Sequence, residues 1–214
     1  MSIYFAKNSI TTYTDVKGKC SLMFFTFGCN LKCYKCHVYK DLNTEVPPKD
    51  YAKEDEILQQ IEEGKDFVDC AIFSGGEFLV YDVEQIEDFL LKVRRIFSGL
   101  IIVNTNGTFP QKMEQIAYLV DGFYLDIKCP FWLLNRTSYM DREMFKQVYG
   151  IDYSEKIISK LAQSVLLLVK RKNKYDRTRT VEYPFLSKND HDLISEAMKV
   201  LNLDHDFNEF YEET

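Results

Sequence analysis

The chain has 214 residues, a net charge of −6 at pH 7 and a 46% hydrophobic fraction. That length suits one domain with a real core, and the acidic balance argues against a surface that tracks nucleic-acid phosphates. Residues 1–19 lack the apolar stretch of a secretory signal, and the longest strongly apolar run, 165–169, is too short to span a bilayer. The expectation is a soluble cytoplasmic protein with no nucleic-acid and no membrane partner.

Residues 21–27 form an apolar run that stops at Gly28 and read as a buried strand. A cysteine loop follows, and Pro47 with Pro48 punctuates the chain. Residues 53–63 read as a helix with Ile57, Leu58 and Ile61 on one face and Gly64 as its stop. A strand is expected over 67–73, ending at Ser74-Gly75-Gly76-Glu77. The clearest helix covers 82–98, with a stripe of Val83, Ile86, Phe89, Leu90, Val93 and Phe97, and Gly99 as its stop.

A strand over 100–103 ends at Asn104-Thr105-Asn106-Gly107, and a helix over about 110–119 begins at Pro110. Residues 123–127 read as a strand ending at Lys128-Cys129-Pro130, 154–169 as a helix and 178–183 as a strand. Ser187 with Asp190 resembles a capping box that opens the last helix, ending near Leu201. His191 and His205 receive no role, and 204–214 reads as an acidic tail.

Strands alternating with helices imply βα units and a parallel sheet. The expected class is α/β, an open, partial parallel βα barrel of about six units, with 1–214 as a single domain and its core over about 12–201. Such sheets place ligands at the carboxyl ends of strands, where every unusual motif of this chain falls.

Six cysteines stand at 20, 29, 33, 36, 70 and 129, three of them within eight residues. Spacings of four and three let one loop aim Cys29, Cys33 and Cys36 at a single point. A four-iron cubane takes four cysteines when fully ligated, so three leave one iron open for chemistry. Two other readings stand beside this one. Structural zinc would need a fourth ligand such as His37 or Cys20, although His37 directly follows Cys36 and chelates poorly with it. Cys33 and Cys36 would also make a redox pair. Cys70 reads as a core thiol, Cys129 as a loop thiol and Cys20 as structural.

The remaining motifs are weaker alone. Gly75 and Gly76 let backbone approach a ligand, and Glu77 offers a carboxylate to an amine, but Gly-Gly is often only a turn. Asn106-Gly107 is a common turn pair. Asp126 and Lys128 place two charges on one face of an otherwise apolar strand, where an ion pair is the plain reading.

Together these residues resemble the radical S-adenosylmethionine (SAM) superfamily, over about residues 12–201. The similarity is greatest to glycyl-radical-enzyme activases of the kind that serves anaerobic ribonucleoside-triphosphate reductase. It rests on Asp15–Lys19, the loop from Phe27 to Cys33, Thr105-Asn106-Gly107, the run from Val120 to Lys128 with Pro130, and Arg179-Thr180 before Pro184. The resemblance implies a [4Fe–4S] cluster on Cys29, Cys33 and Cys36, with SAM chelating the fourth iron. It implies that Ser74, Gly75, Gly76 and Glu77 receive the methionine amine, and that Asn104, Thr105 and Asn106 sit near its carboxylate or the ribose. Lys35 and His37 would flank the adenine, and Asp126 and Lys128 would line the inner wall.

The activity implied is reductive cleavage of SAM and formation of a glycyl radical on a partner, the large subunit of anaerobic ribonucleotide reductase. An external electron donor such as flavodoxin or ferredoxin would supply the electron, and no side-chain general base is required. The sequence departs from the family pattern at Lys35, at Phe78, at Asn104 (where related activases often place a cation-site aspartate) and at His37-Val38. A second reading is a small-molecule radical SAM enzyme such as 7-carboxy-7-deazaguanine synthase, which shares Thr105-Asn106-Gly107 and the stretch from Asp126 to Pro130. Its Gln-Gly-Glu-Gly opening is replaced here by Thr14–Lys19. A third, of another class, is a zinc-binding interaction module.

Overall fold

A computed structural model describes residues 2–38, 51–134 and 137–211. They gather into two compact units. The first comprises Met1–Asn30, Val38–Thr105 and Gln111–Phe123, and the second Leu31–His37, Asn106–Pro110 and Tyr124–Thr214.

The first unit holds β1 (Tyr4–Ala6), β2 (Ile10–Thr12), β3 (Ser21–Thr26), β4 (Tyr51–Lys53), α1 (Glu54–Gly64), β5 (Cys70–Gly75), α2 (Val83–Ile96), β6 (Leu100–Thr105) and most of α3 (Pro110–Ile116). β3, β5 and β6 run parallel, with Ser21 opposite Cys70 and Cys70 opposite Leu100. β1 and β2 pair antiparallel with β3, and β4 with β1. Their apolar runs are buried: Phe5, Phe24, Phe73 and Phe89 pack ring against ring, with Phe73 centroids 5.2 Å from Phe89 and 5.7 Å from Phe24. Of the expected α2 stripe, Ile86, Phe89, Leu90, Val93 and Phe97 are buried, while Val83 in the first turn is only half-buried. Arg94 leaves that helix to donate to the carbonyls of Gly99 and Leu119 and to Asp121, whose carboxylate also accepts from Ile101 N at 2.7 Å. This arrangement fixes where β6 begins.

The second unit holds most of β7 (Gly122–Asp126), α4 (Tyr139–Tyr149), α5 (Glu155–Arg171), β8 (Arg177–Val181), α6 (Lys188–Val200) and β9 (His205–Asn208). β7, β8 and β9 are mutually parallel, so the α/β expectation with parallel strands is met in each unit. α6 opens on the expected capping box: Ser187 Oγ accepts from Asp190 N at 3.2 Å, and Asp190 Oδ2 accepts from Ser187 N at 2.8 Å.

Several elements differ from expectation. The strand placed over 67–73 starts at Cys70, and Phe67 is 80% exposed. β1 and β2 precede the expected start of the core. Residues 205–208, taken as tail, form β9, an edge strand whose polar sequence hides its pairing with β8. α4 was not foreseen, although Phe145, Val148 and Tyr149 recur at helical spacing and are buried. Cys129 lies in a loop but is fully buried, its thiol pushed up to about 12 by burial against the opposing hydrogen bond with Tyr149. Pro47 and Pro48 fall outside the described residues, as do the last three residues of the expected tail.

His205 shows that the supposed tail is part of the packing. Thr178 Oγ1 donates to Asp204 O at 3.0 Å and lies 2.8 Å from His205 Nδ1, so Nδ1 carries the ring proton and donates to that hydroxyl. Nε2 is buried with no partner among the described residues. Burial draws the ring's pKa down from 6.5 to about 4, with Asp206 opposing. Between these values the unfolded chain binds a proton that the folded chain refuses, so stability falls as pH drops through that window. The melting temperature is therefore expected to fall between pH 6.5 and 4 more steeply in wild type than in His205→Gln. Equal slopes in a calorimetric pH series would remove His205 as the cause.

Candidate functional site

In the first unit, the ends of β3, β5 and β6 carry the predicted residues. Gly75 has φ +97°, and a Cβ there would lie 2.7 Å from Phe25 Cα and Thr26 N. A Cβ on Gly76 would lie 2.0 Å from Gly28 O. The backbones touch because they are hydrogen bonded: Gly76 N donates to Thr26 O at 2.9 Å and Glu77 N to Gly28 O at 2.7 Å. The glycine pair thus ties the Ser74–Glu77 segment directly to the residue before Cys29, a closeness that no side chain permits.

Glu77 is 1% exposed. One of its oxygens accepts from Leu79 N at 3.1 Å and from Thr105 Oγ1 at 3.0 Å. Asn104 Nδ2 donates to Ser74 Oγ at 2.9 Å, while Asn104 Oδ1 is buried with no partner among the described residues. Glu77 places a buried carboxylate, and Asn104 Oδ1 an unused buried acceptor, at neighbouring strand ends, a set that suits an ammonium group. Phe78, the residue after Glu77, is fully buried and stacks 5.2 Å from Phe73. Lys112, which sequence reasoning missed, donates to the carbonyls of Leu79 at 3.0 Å and of Tyr81, pinning the 3-10 turn Phe78–Val80 that follows Glu77. Nothing in its sequence context marks it, because the carbonyls it clamps are backbone.

In the second unit, Cys36 N donates to Cys33 O at 3.2 Å, closing a turn with Lys35 in the left-handed region at φ +41°. Lys32 N donates to Tyr149 O at 3.1 Å, and Gly150, at φ +66°, lies so near Lys32 that a Cβ would overlap its carbonyl oxygen. The C-terminal end of α4 therefore backs the cysteine loop. Lys35 and His37 are exposed.

Burial raises the Cys33 thiol above its ordinary value, with Lys128 opposing and Cys36 and Asp126 adding to the rise. Without a cation the protonated form is favoured, so bound metal charge would be what draws the thiolate out. Lys128 is 8% exposed and its Nζ lies 2.9 Å from Asp126 Oδ2. Burial pushes its pKa down, but Asp126 and Cys33 outweigh that, and the ammonium form is held well above its usual range. Arg179 Nη2 stands 3.7 Å from the other Asp126 oxygen. The two charges on one strand face are thus the ion pair that the plain reading expected, in a setting that also reaches Cys33. Asn106 Oδ1 accepts from Thr108 N at 3.0 Å and Thr108 Oγ1 at 2.7 Å, and Gly107 has φ +78°, so this oxygen serves the turn.

No cysteine among the described residues is in a disulfide. Also among them, no three His, Cys, Asp or Glu side chains converge on one point as ligands of a single ion. No helix among them is long and apolar enough to cross a membrane. A cavity of about 300 Å³ lined by Arg142, Glu143, Lys146, Asp152 and Tyr153 holds none of the predicted site residues.

The profile of the radical SAM superfamily matches residues 23–148. The chain belongs to that superfamily, and the parallel strands and helices of its two units make an α/β fold of the radical SAM class. Over 119 residues it is 31% identical to a Methanocaldococcus jannaschii protein named "Putative glycyl-radical enzyme activating enzyme". The match covers 55% of this chain and 47% of that protein, so the chain spans about half the length of the curated relative. Among solved structures, QueE from Escherichia coli aligns at a TM-score of 0.49 and 13% identity, covering 96% of this chain and 94% of QueE. Coproporphyrinogen III oxidase from Escherichia coli, a radical SAM enzyme, aligns at 0.49 and 12% identity, covering 75% of this chain and 38% of the oxidase.

In donor type, these residues match the cofactors that the family implies. Three thiols within one loop suit a cluster whose ligands sit on separate irons, and the Glu77–Asn104 set suits an amine. Gly76→Ala is expected to cost about 2 kcal/mol of stability and to weaken SAM binding, because its methyl meets backbone. Gly64→Ala, whose methyl meets only the movable Leu22 side chain, should change neither. Thermal melts and calorimetric titration with SAM test the pair, and equal behaviour of the two variants would contradict the close-approach argument.

Proposed function

We propose that the chain, acting as a single radical SAM domain, is a cytoplasmic activase that generates a glycyl radical on a partner enzyme. Cys29, Cys33 and Cys36 hold a [4Fe–4S] cluster, and the partner is anaerobic ribonucleoside-triphosphate reductase, with flavodoxin or ferredoxin as electron donor. The observation that carries the reading is a cysteine loop of just three thiols in a chain partly identical to a protein named as such an activase. Bound there, the cofactors would supply one-electron radical chemistry directed at a backbone glycine of the partner.

The chain's own residues bind and orient. Glu77 and Asn104 Oδ1 accept from the methionine amine, and Ser74 fixes the Asn104 carboxamide so that its oxygen stays available. Gly75 and Gly76 let backbone come close. Thr105 Oγ1 is already spent on Glu77, so it orients that carboxylate. Lys128, held charged by Asp126, brings a fixed positive charge to the surroundings of Cys33. Lys35 and His37, both exposed residues, flank the adenine. The scattered Cys20, Cys70 and Cys129 offer no second cluster set.

The second reading, a small-molecule enzyme such as 7-carboxy-7-deazaguanine synthase, is favoured by the Asp126-Ile127-Lys128-Cys129-Pro130 stretch. Anaerobically reconstituted protein is expected to bind about four irons per chain, and Cys33→Ala to lose them. Reduced protein with SAM and the reductase should give a glycyl-radical signal by electron paramagnetic resonance. Lys128→Met should cut its rate of appearance by about tenfold or more while iron content stays constant. SAM cleavage without that signal on any reductase supports the second reading, and colourless zinc protein supports a binding module.

A further inference from the structure

Tyr34 lies inside the cysteine turn, between Cys33 and Cys36, and its ring meets three rings from much later in the chain. Phe185 stands edge-on at 5.2 Å, Tyr183 at 6.3 Å and Phe210 at 6.0 Å. Those three also pack on one another: Tyr183 and Phe185 stack at 5.2 Å, and Phe210 is 5.8 Å from Tyr183. Tyr183 is 5% exposed.

The β8–β9 ladder puts these rings side by side. Its last pair is Val181 with Asn208, and Glu182 N donates to Asn208 O at 2.9 Å. Tyr183 and Phe210 each stand two residues beyond that pair, so they leave adjacent parallel strands at the same level. The turn they meet has an internal cost, because Lys35 is held left-handed at φ +41° without being glycine. Such a conformation persists only where its surroundings hold it.

We propose that Phe210, with Tyr183 and Phe185, forms an aromatic wall that holds the Cys33–Cys36 turn in shape through Tyr34. The segment after β9 is then a positioning element for two of the three cluster thiols. This consequence for iron rests on the cluster reading above, but the wall itself does not.

Two measurements on the full chain separate them. In metal-free protein, alkylation by iodoacetamide is followed at each cysteine by peptide mass mapping. Phe210→Ala is expected to speed labelling of Cys33 and Cys36 by about tenfold, with Cys20 and buried Cys70 unchanged and Phe210→Tyr restoring the wild-type rates. Unchanged rates at Cys33 and Cys36 overturn the proposal, and so does equal acceleration at Cys20 and Cys70, which marks general loosening. Should Phe210→Ala fail to accumulate as folded protein, Phe185→Leu is read by the same criteria. In reconstituted protein, iron release to a chelator should accelerate in the same variants and by a similar factor. Wild type that takes up no iron defeats the cluster reading alone, since the labelling result still decides the wall.

Discussion

Much of the first unit depends on one steric fact: the backbones at Gly75–Gly76 and at Thr26–Gly28 lie too close for any side chain between them. Parallel β3 and β5 bring the segments together, and two backbone hydrogen bonds lock them. From that lock the chain leaves in two directions, one toward Cys29 and the other into Glu77. The backbone that leads to Cys29 and the backbone that carries Glu77 are held by the same contact. The buried aromatic rings beneath supply the rigidity, and Phe78 extends them to the residue after Glu77. A carboxylate this deeply placed is tolerable because Leu79 N and Thr105 Oγ1 both reach it.

The second unit meets a different constraint, that of charge in a dry place. Cys33 is pushed toward its protonated form by burial, and Lys128 is the cation that opposes this. Asp126 holds Lys128 charged, and Arg179 stands on the other side of Asp126. The result is a chain of alternating charge along the end of β7 and its neighbour β8. Thiolate ligands to a metal fit such a setting once the metal's own charge is counted.

What the sequence disclosed follows from periodicity and from motifs that are local in the chain. The apolar stripe of α2, the Ser187–Asp190 cap and the cysteine spacing are each contained within a few turns of chain, so they were legible. β9 was not, because an edge strand of His205, Asp206, Phe207 and Asn208 carries no alternation that separates it from a polar tail. Lys112 was missed because its partners are carbonyls, which have no letter in a sequence. Tyr34 was overlooked between two cysteines, since its partners lie about 150 residues or more away in the chain and only the β8–β9 pairing brings them together. The placing of Cys70 in the core was right, whereas the loop position of Cys129 concealed its full burial.

Lys35 has one more implication. A lysine at positive φ carries a steric cost that glycine would not, so the loop adopts this shape only where its surroundings hold it. The turn between the second and third thiols is therefore shaped by the fold around it rather than by its own residues, and a short peptide cut from this loop forfeits that support.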